Sequence, residues 1–292
     1  MTMTTGSRST HKVEASPAGP GWRIVCLDDD ASCKKARVRD ETRIQAVLRH
    51  VQAQECVALL GPPMSEKTHL LMDVAEALAA GGRYTPLYLD LWETRSSDEV
   101  AFFTSVAQLI AGHLGNSIRN LQSEIRNPQG VRDARSFQNY LAGCLQVLDR
   151  HLALLIDHLQ ALPPDLVHGL LLALRSAYME QDYAAPRQLV SVVSGGINLV
   201  GLSTGSTSPF NIAKPVAASP LTPEQTRALA RATFEAYGCE ASDGALAGIQ
   251  EWAGGDAYLV SRLCAETADA VRGHRRAQVT RLACLDGCGQ SG

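Results

Sequence analysis

The stretch LLGPPMSEKTHLL, residues 59–71, comes close to the pattern of a phosphate-binding loop. Such a loop reads G-x-x-x-x-G-K-[ST], because backbone N–H groups must close around the anion without side chains in the way. Gly61, Lys67 and Thr68 have the required spacing, but Glu66 stands where the second glycine belongs. These residue types predict that Lys67 contacts the β- and γ-phosphates of a nucleotide and that the Thr68 hydroxyl reaches Mg²⁺.

A second candidate is Asp157, which ends the apolar run LALLID far from the loop in sequence. An acidic residue at the tip of a buried strand can hold the water shell of a metal opposite the loop threonine. A strand, turn and helix with Gly, Pro, Ser and Lys in the turn also occurs in α/β folds that bind no nucleotide, and an Asp after a strand can cap the next helix. Both interpretations stay open for each motif alone, and their joint occurrence favours the phosphate site.

The elements that must position these residues are apolar runs alternating with helical patterns. Strand candidates are CVALL, TPLYLDLW, LALLID, RQLVSVVSGG and IAKPVAAS. The loop lies between the first of them and the helical pattern KTHLLMDVAEALAA, whose N-terminus would supply aligned amides and a positive dipole end. Strands alternating with helices predict an α/β fold with a parallel sheet covered on both faces.

The residue composition of the chain changes after Gly201, where a Ser-, Thr- and Gly-rich loop precedes three helical segments. We predict a disordered leader over 1–22, an α/β core over 23–219, a helical lid over 220–275 and a tail over 276–292. The leader lacks the apolar core of a secretory signal, and no apolar run approaches the roughly 20 residues that span a bilayer. These features predict a cytoplasmic protein.

Composition excludes several classes of site. The 292 residues are 45% hydrophobic and 20% charged, and the net charge of -3 gives no overall attraction to nucleic acid or anionic membrane. The eight cysteines share no CxxC spacing, which argues against a disulfide framework or a zinc site and favours reduced core thiols. No Ser/His/Asp or Cys/His arrangement for hydrolase chemistry is readable.

The motifs resemble those of P-loop NTPases of the AAA-like and STAND type, the bacterial signalling and conflict-system ATPases. GPPMSEKT is similar to the GPPGTGKT loop of this family, with Met64 and Glu66 in place of two glycines. LALLIDHL is similar to its Walker B strand, and SVVSGG falls at its sensor strand with Ser194 at the polar tip. SPFNIAKPVAASPLTPEQ and WAGGDAYLVSRLC resemble the loop, strand and lid helix of the AAA-like branch. The resemblance runs from about Thr42 to about Arg272 and implies a three-layer P-loop NTPase sandwich followed by a helical lid.

The resemblance also implies site residues. The nucleotide-binding candidates are Gly61, Ser65, Glu66, Lys67, Thr68, His69 and Ser194, and the Mg²⁺ candidates are Thr68 and Asp157. His158 replaces the glutamate that normally polarises the attacking water, so hydrolysis should be slow or lost, with His158 as the candidate catalytic residue. Glu66 puts a carboxylate beside a polyphosphate, which could cost on the order of a few kcal/mol. Arg187 and Arg262 are either γ-phosphate contacts or surface arginines. For Asp90, its place at the tip of a strand favours capping a turn or lining the cleft over ligating a metal.

These features lead us to expect an ATP- and Mg²⁺-dependent switch in which occupancy, more than turnover, controls a partner. A slow ATPase with Glu66 or His158 as substitute base is one alternative, and a nucleotide-independent pseudo-NTPase scaffold is another. No effector module is recognisable, so the expected partner is a protein on a separate chain, unless this chain is a piece of a longer one. A homo-oligomer is compatible with the sequence, whereas nucleic acid and membrane partners are not indicated.

Overall fold

The computed structural model describes residues 21–26, 36–94, 96–117, 125, 127–180, 188–196, 209–272 and 278–279. These residues divide into two compact units. The α/β unit comprises Arg43–Pro63 and Lys67–Ala218, and the helical unit comprises the chain up to Thr42, Met64–Glu66 and the chain from Ser219 onward. Among the described helices, none is both long enough and apolar enough to span a membrane.

The elements follow the apolar and helical patterns of the sequence. In chain order they are β1 (Trp22–Cys26), β2 (Ala36–Asp40), α1 (Glu41–Gln52), β3 (Val57–Leu60), α2 (Lys67–Gly81), β4 (Tyr84–Asp90), α3 (Glu99–Ser117), α4 (Ala134–Val147), β5 (His151–Asp157), α5 (Pro164–Met179), β6 (Leu189–Gly195), β7 (Lys214–Ala217), α6 (Pro223–Ala236), β8 (Glu240–Ala241), α7 (Asp243–Ala253), α8 (Ala257–Arg272) and β9 (Gln278–Val279). Short 3₁₀ turns lie at Leu159–Ala161 and Pro209–Ile212.

A five-stranded parallel sheet forms the centre of the α/β unit, in the order β4-β5-β6-β3-β7. Parallel strands point the same way, so their carboxyl ends meet at one edge of the sheet. The register pairs Asp90 with Asp157 at that edge, and Leu60 with Gly195. The residues that end β4 and β5 are therefore neighbours although they are far apart in sequence.

Each face of this sheet is covered by helices, as the apolar character of its strands predicts. Successive residues of a strand point to opposite faces. On β5, Leu152, Leu154 and Ile156 pack with apolar residues of α3, α4 and α5. Ala153 and Leu155 pack with those of α1 and α2. The predicted α/β fold with a three-layer arrangement is confirmed.

The helical unit contains a β-hairpin that the sequence analysis did not predict. Strands β1 and β2 pair antiparallel, and Ala36 and Val38 are buried in one apolar cluster with residues of α6, α7 and α8. The predicted division placed residues 23–42 in the α/β core, but the described part of that range, 23–26 and 36–42, groups with the helices instead. Trp22, which we assigned to the leader, begins β1, and residues 1–20 of that leader lie outside the described residues.

The hairpin is joined to α6 through the cap of that helix. Thr222 and Gln225 form a reciprocal capping box in which each side chain accepts a hydrogen bond from the backbone N–H of the other. The Nε2 amide of Gln225, which is 3% exposed, also donates to Asp40 Oδ2 over 3.0 Å. One side chain therefore satisfies a helix terminus and binds the end of β2.

Four of the described cysteines are buried free thiols, at positions 56, 144, 239 and 264. Burial raises the pKa of Cys144 to about 12, which keeps this residue protonated and unreactive at neutral pH. For these four residues the prediction of core thiols is confirmed, whereas Cys33, Cys284 and Cys288 lie outside the described residues.

Candidate functional site

The phosphate-loop candidate, residues 61–66, connects the end of β3 to the first residue of α2. Helix α2 begins at Lys67 and has no acidic residue in its first turn. The first N–H groups of a helix lack intrahelical partners and form its positive end, which suits an anion. The strand, loop and helix that such a site requires are present in the predicted order.

The backbone of the loop keeps a conformation that favours glycine at two positions without having glycine there. Met64 and Glu66 both have φ of 61°, in the left-handed region. These are the two positions at which the family loop GPPGTGKT has glycine and this sequence does not. Residues with a Cβ pay roughly 1–2 kcal/mol in this region. The loop therefore has side chains and backbone strain at two positions where the pattern has glycine. Its backbone still adopts the left-handed conformation that glycine favours there.

Lys67 reaches back across the loop that precedes it. Its Nζ donates to the carbonyl oxygens of Gly61 at 3.2 Å and Pro62 at 2.6 Å. Burial lowers the pKa of Lys67, and the negative charge of Asp157 opposes that shift. The ammonium group is thus held against the first two residues of the loop.

Asp157 collects hydrogen bonds from four groups and is 1% exposed. Its Oδ2 accepts from Thr68 Oγ1 at 2.6 Å and from Tyr88 OH at 3.3 Å. Its Oδ1 accepts from Ser194 Oγ at 2.6 Å and from the backbone N–H of His158 at 2.8 Å. The carboxylate therefore joins the start of α2 to strands β4, β5 and β6.

This arrangement excludes the helix-cap alternative for Asp157. The N-cap of α5 is Pro163, with no side-chain cap, so Asp157 does not cap that helix. Instead it contacts Thr68, 89 residues away in sequence, so the two candidate Mg²⁺ residues lie side by side. Tyr88 was missed by the sequence analysis, because its hydroxyl extends from within an apolar strand. Burial, followed by the charge of Asp157, raises the pKa of Tyr88 and keeps its hydroxyl a donor.

His158 lies beside a carboxylate of the neighbouring strand. It adopts the left-handed region, with φ 59° and ψ 41°. Its Nδ1 is 2.9 Å from Asp90 Oδ1, and the same oxygen accepts from the backbone N–H of Trp92 at 2.9 Å. The rings of Trp92 and His158 meet edge to face with 5.9 Å between their centroids. Asp90 therefore caps the turn, as one of the two alternatives held, and also contacts the candidate catalytic residue.

The remaining predicted residues take less specific places. Ser65 is a half-buried residue of the loop, and His69 is the half-buried third residue of α2. Arg262 on α8 is 63% exposed and pairs with Glu266 at 2.7 Å, which fits the surface-arginine alternative. Arg187 lies outside the described residues. Within the described ranges, no three His, Cys, Asp or Glu side chains form a metal-binding group.

Solved structures share this architecture. One is the ORC2 protein of Aeropyrum pernix, solved as ADPNP–ADP complexes. The similarity covers 86% of this chain and 66% of the ORC2 chain, with a TM-score of 0.56 and 12% identity. Cdc6p of Pyrobaculum aerophilum matches 82% of this chain and 63% of its own, with a TM-score of 0.54 and 19% identity. For a point mutant of Thermotoga maritima RuvB, the similarity covers 85% of this chain and 68% of the RuvB chain, with a TM-score of 0.53 and 14% identity. This chain thus spans slightly less than two thirds of the first two proteins.

This is the AAA+ P-loop NTPase fold. No sequence model of a protein family matches the chain, and no curated protein matches it in sequence. At 12–19% identity the likeness concerns the fold, so the chemistry of the site depends on the residues described above. In the AAA+ fold of this chain, the loop before α2 and the end of β5 are joined by the Thr68–Asp157 hydrogen bond.

Proposed function

We propose that this chain is a nucleotide-dependent switch that binds ATP with Mg²⁺ at residues 61–68 and hydrolyses it slowly or not at all. The observation that carries the proposal is the 2.6 Å hydrogen bond from Thr68 to Asp157 at the start of α2. It joins a hydroxyl and a carboxylate, both of which are ligand types that Mg²⁺ accepts, directly or through water.

The residues present fit a nucleotide in three respects. The loop backbone is left-handed at residues 64 and 66, the N-terminus of α2 follows it, and the Lys67 ammonium group lies across it. When bound, Mg²⁺ would neutralise part of the charge on the β- and γ-phosphates. In this chain Thr68 and Asp157 would hold the ion, and Lys67 and the α2 amides would hold the phosphates. The carboxylate of Glu66 opposes binding, and this is the reason to expect a weak site.

The proposal is tested by equilibrium binding of labelled ATP with and without Mg²⁺. We expect saturable binding below millimolar nucleotide that weakens about ten-fold or more in Lys67→Ala, since a charged partner of the phosphates is lost. The matched control is Lys214→Ala, which removes the same charge from a half-exposed lysine that pairs with Glu55 on the α/β unit. Absence of saturable binding at millimolar ATP, or equal affinity in Lys67→Ala, would contradict the proposal.

A nucleotide-independent scaffold is a second candidate, because one observation favours it. Both oxygens of Asp157 already accept two protein donors each, so the carboxylate has a structural role with no ion bound. If the fold serves protein contacts alone, its melting temperature should not respond to ATP, ADP or GTP. A ligand that binds only the native state must raise stability, by about 2.7 kcal/mol at 100 times its Kd.

A nucleotide-dependent switch acts by changing the binding of a partner. We propose a protein partner on a separate chain, or a second copy of this chain, whose association depends on the bound nucleotide. Sedimentation velocity of the purified protein with ATP, with ADP and without nucleotide measures the second case directly. Nucleotide-dependent self-association in the wild type, absent in Lys67→Ala, is the expected result for a homo-oligomeric switch.

A further inference from the structure

Asp90 and His158 form a hydrogen-bonded pair that the proposed switch does not itself require. Nδ1 of His158 lies 2.9 Å from Asp90 Oδ1, while the side chains are 24% and 27% exposed. Nδ1 is 3.7 Å from Asp157 Oδ2, so the closer partner is Asp90. The pair lies where β4 and β5 end side by side, since the register aligns Asp90 with Asp157.

The pair fixes which ring nitrogen carries hydrogen. An ionised carboxylate can only accept, so the bond to Asp90 requires that Nδ1 of His158 be the donor. In the neutral imidazole the other nitrogen, Nε2, then holds a lone pair and is an acceptor. Among the described residues, the hydrogen bonds of His158 involve its backbone N–H, its backbone carbonyl oxygen, which accepts from Ala161 N–H, and Nδ1 of its ring.

Two further observations concern how the backbone and the ring of His158 are held. His158 occupies the left-handed region, which costs a residue with a Cβ roughly 1–2 kcal/mol, and such strain persists only where neighbouring contacts enforce it. Trp92 donates its backbone N–H to the same oxygen of Asp90 and sets its ring against the imidazole at 61°. The turn after β4 thus fixes the carboxylate and restricts the ring.

We infer that Asp90 is a positioning residue, which holds His158 with Nε2 as acceptor so that the imidazole can orient the attacking water of a slow ATP hydrolysis. This inference rests on the proposed nucleotide site. In the reaction the water oxygen bonds to the γ-phosphorus, and the bond from that phosphorus to the bridging oxygen breaks with its electron pair leaving on ADP. One water proton stays on the product phosphate and the other is released to solvent.

The test combines a spectroscopic measurement of the free protein with steady-state kinetics. Histidine side chains labelled with ¹⁵N report which nitrogen is protonated at about pH 8, above the usual histidine pKa, and His158→Asn assigns the resonance. We expect the Nδ1–H tautomer in wild type and in Asp90→Asn, whose amide oxygen still accepts, and its loss in Asp90→Ala. Asp149→Ala, which removes an exposed carboxylate from the turn before β5, is the matched control.

Phosphate release should follow the tautomer. Asp90→Ala should lower kcat on the order of ten-fold or more, with the ATP Kd unchanged, while Asp90→Asn restores most of it and Asp149→Ala has no effect. An unchanged tautomer in Asp90→Ala would overturn the inference. ATP binding with phosphate release at background in the wild type would also overturn it and leave the switch standing, whereas absence of ATP binding would overturn both.

Discussion

At the scale of single residues, the phosphate loop departs from its pattern through two separate physical effects. Met64 and Glu66 both adopt φ of 61°, so each has a backbone strain that glycine would avoid. Only Glu66 adds a negative charge next to the expected phosphates. The backbone cost acts on the stability of the free protein, and the charge acts on affinity for nucleotide.

Replacing these residues by glycine should separate the two effects. Glu66→Gly and Met64→Gly should each change the free energy of unfolding by about 1 kcal/mol or less, because relief of the left-handed strain is partly offset by the greater freedom of glycine in the unfolded chain. ATP affinity should rise in Glu66→Gly and in Glu66→Gln but change little in Met64→Gly. Isothermal titration and urea unfolding measure the two quantities.

The matched control is Gln54→Gly, since Gln54 has φ of 60° in the turn between α1 and β3, outside the loop. It should show the same backbone effect on stability with no change in ATP affinity. Equal ATP affinity in Glu66→Gln and wild type would show that the charge of Glu66 is not what weakens the site.

Asp157 should be important for folding as well as for metal binding. Asp157→Ala removes the acceptor of four hydrogen bonds, one from the buried hydroxyl of Ser194 and three from donors of half-buried residues, so we expect a loss of about 3 kcal/mol in the free energy of unfolding. Ser194→Ala removes one donor and should cost about 1 kcal/mol. Urea unfolding without nucleotide measures both losses. A loss in Asp157→Ala no larger than in Ser194→Ala would contradict the expectation that all four hydrogen bonds of Asp157 stabilise the fold.

Part of this site could be predicted from sequence and part could not. Thr68, Asp157 and Ser194 each stand next to the end of a recognisable strand or the start of a helix, so parallel-sheet geometry brings them to one edge. Tyr88 and the Asp90–His158 contact depend on β4 lying beside β5. That neighbour relation is a property of strand order, and strand order is not contained in any local pattern.

At the scale of elements, predictions succeeded where a segment has a clear apolar run or periodicity and failed where it has neither. The inner strands β3, β5 and β6 are near-continuous apolar runs, and the helices carry clear apolar periodicity. Strand β2 reads ARVRD, in which only the alternating Ala36 and Val38 are buried. An alternation of two residues inside a polar region is too short to predict a hairpin, and only tertiary packing against the helices completes it.

The cap of α6 gives an element-scale prediction. Thr222→Ala should cost about 1 kcal/mol of stability, as for other N-caps. Gln225→Ala should cost more, because it also removes the hydrogen bond to Asp40 on β2. Ser242→Ala, at the N-cap of α7 where the described contact is the cap itself, is the control and should match Thr222→Ala. Chemical unfolding measures the order, and equal losses in Gln225→Ala and Thr222→Ala would show that the link to β2 adds nothing.

His151 at the start of β5 makes the stability of the α/β unit depend on pH. Its Nδ1 accepts the backbone N–H of Gln188 at 2.9 Å, which requires an unprotonated nitrogen. Burial, followed by the positive charge of Arg83, lowers the pKa of His151 in the folded state. The unfolded chain therefore binds more protons as pH falls below about 6.5, and stability declines through that window.

Unfolding midpoints measured between about pH 8 and pH 5 test this prediction. The loss of stability on acidification should be smaller in His151→Gln, which cannot take up a proton there. His168→Gln, an exposed position on α5, should keep the wild-type pH dependence. Identical slopes for wild type and His151→Gln would assign the pH dependence to other groups.

At the scale of the whole molecule, the described apolar residues form separate cores for the two units. The two clusters that cover the parallel sheet draw their residues from Arg43–Pro63 and Lys67–Ala218. The third cluster takes Ala36 and Val38 from the hairpin and its other buried members from residues 221–271. One unit is thus nearly continuous in sequence, while the other is assembled from distant segments.

A fragment of residues 43–218 should therefore fold by itself, because it contains all five strands of the sheet and both of its clusters. Its length of about 180 residues is usual for a single domain. We expect a cooperative urea transition and dispersed amide resonances.

A fragment from Ser219 onward lacks Ala36 and Val38, which are 7% exposed each in the intact chain, and so loses part of its core. It should unfold without a cooperative transition, and recover one when residues 21–42 are joined to it through a flexible linker. A non-cooperative 43–218 fragment would mean that the α/β unit depends on segments outside its own clusters.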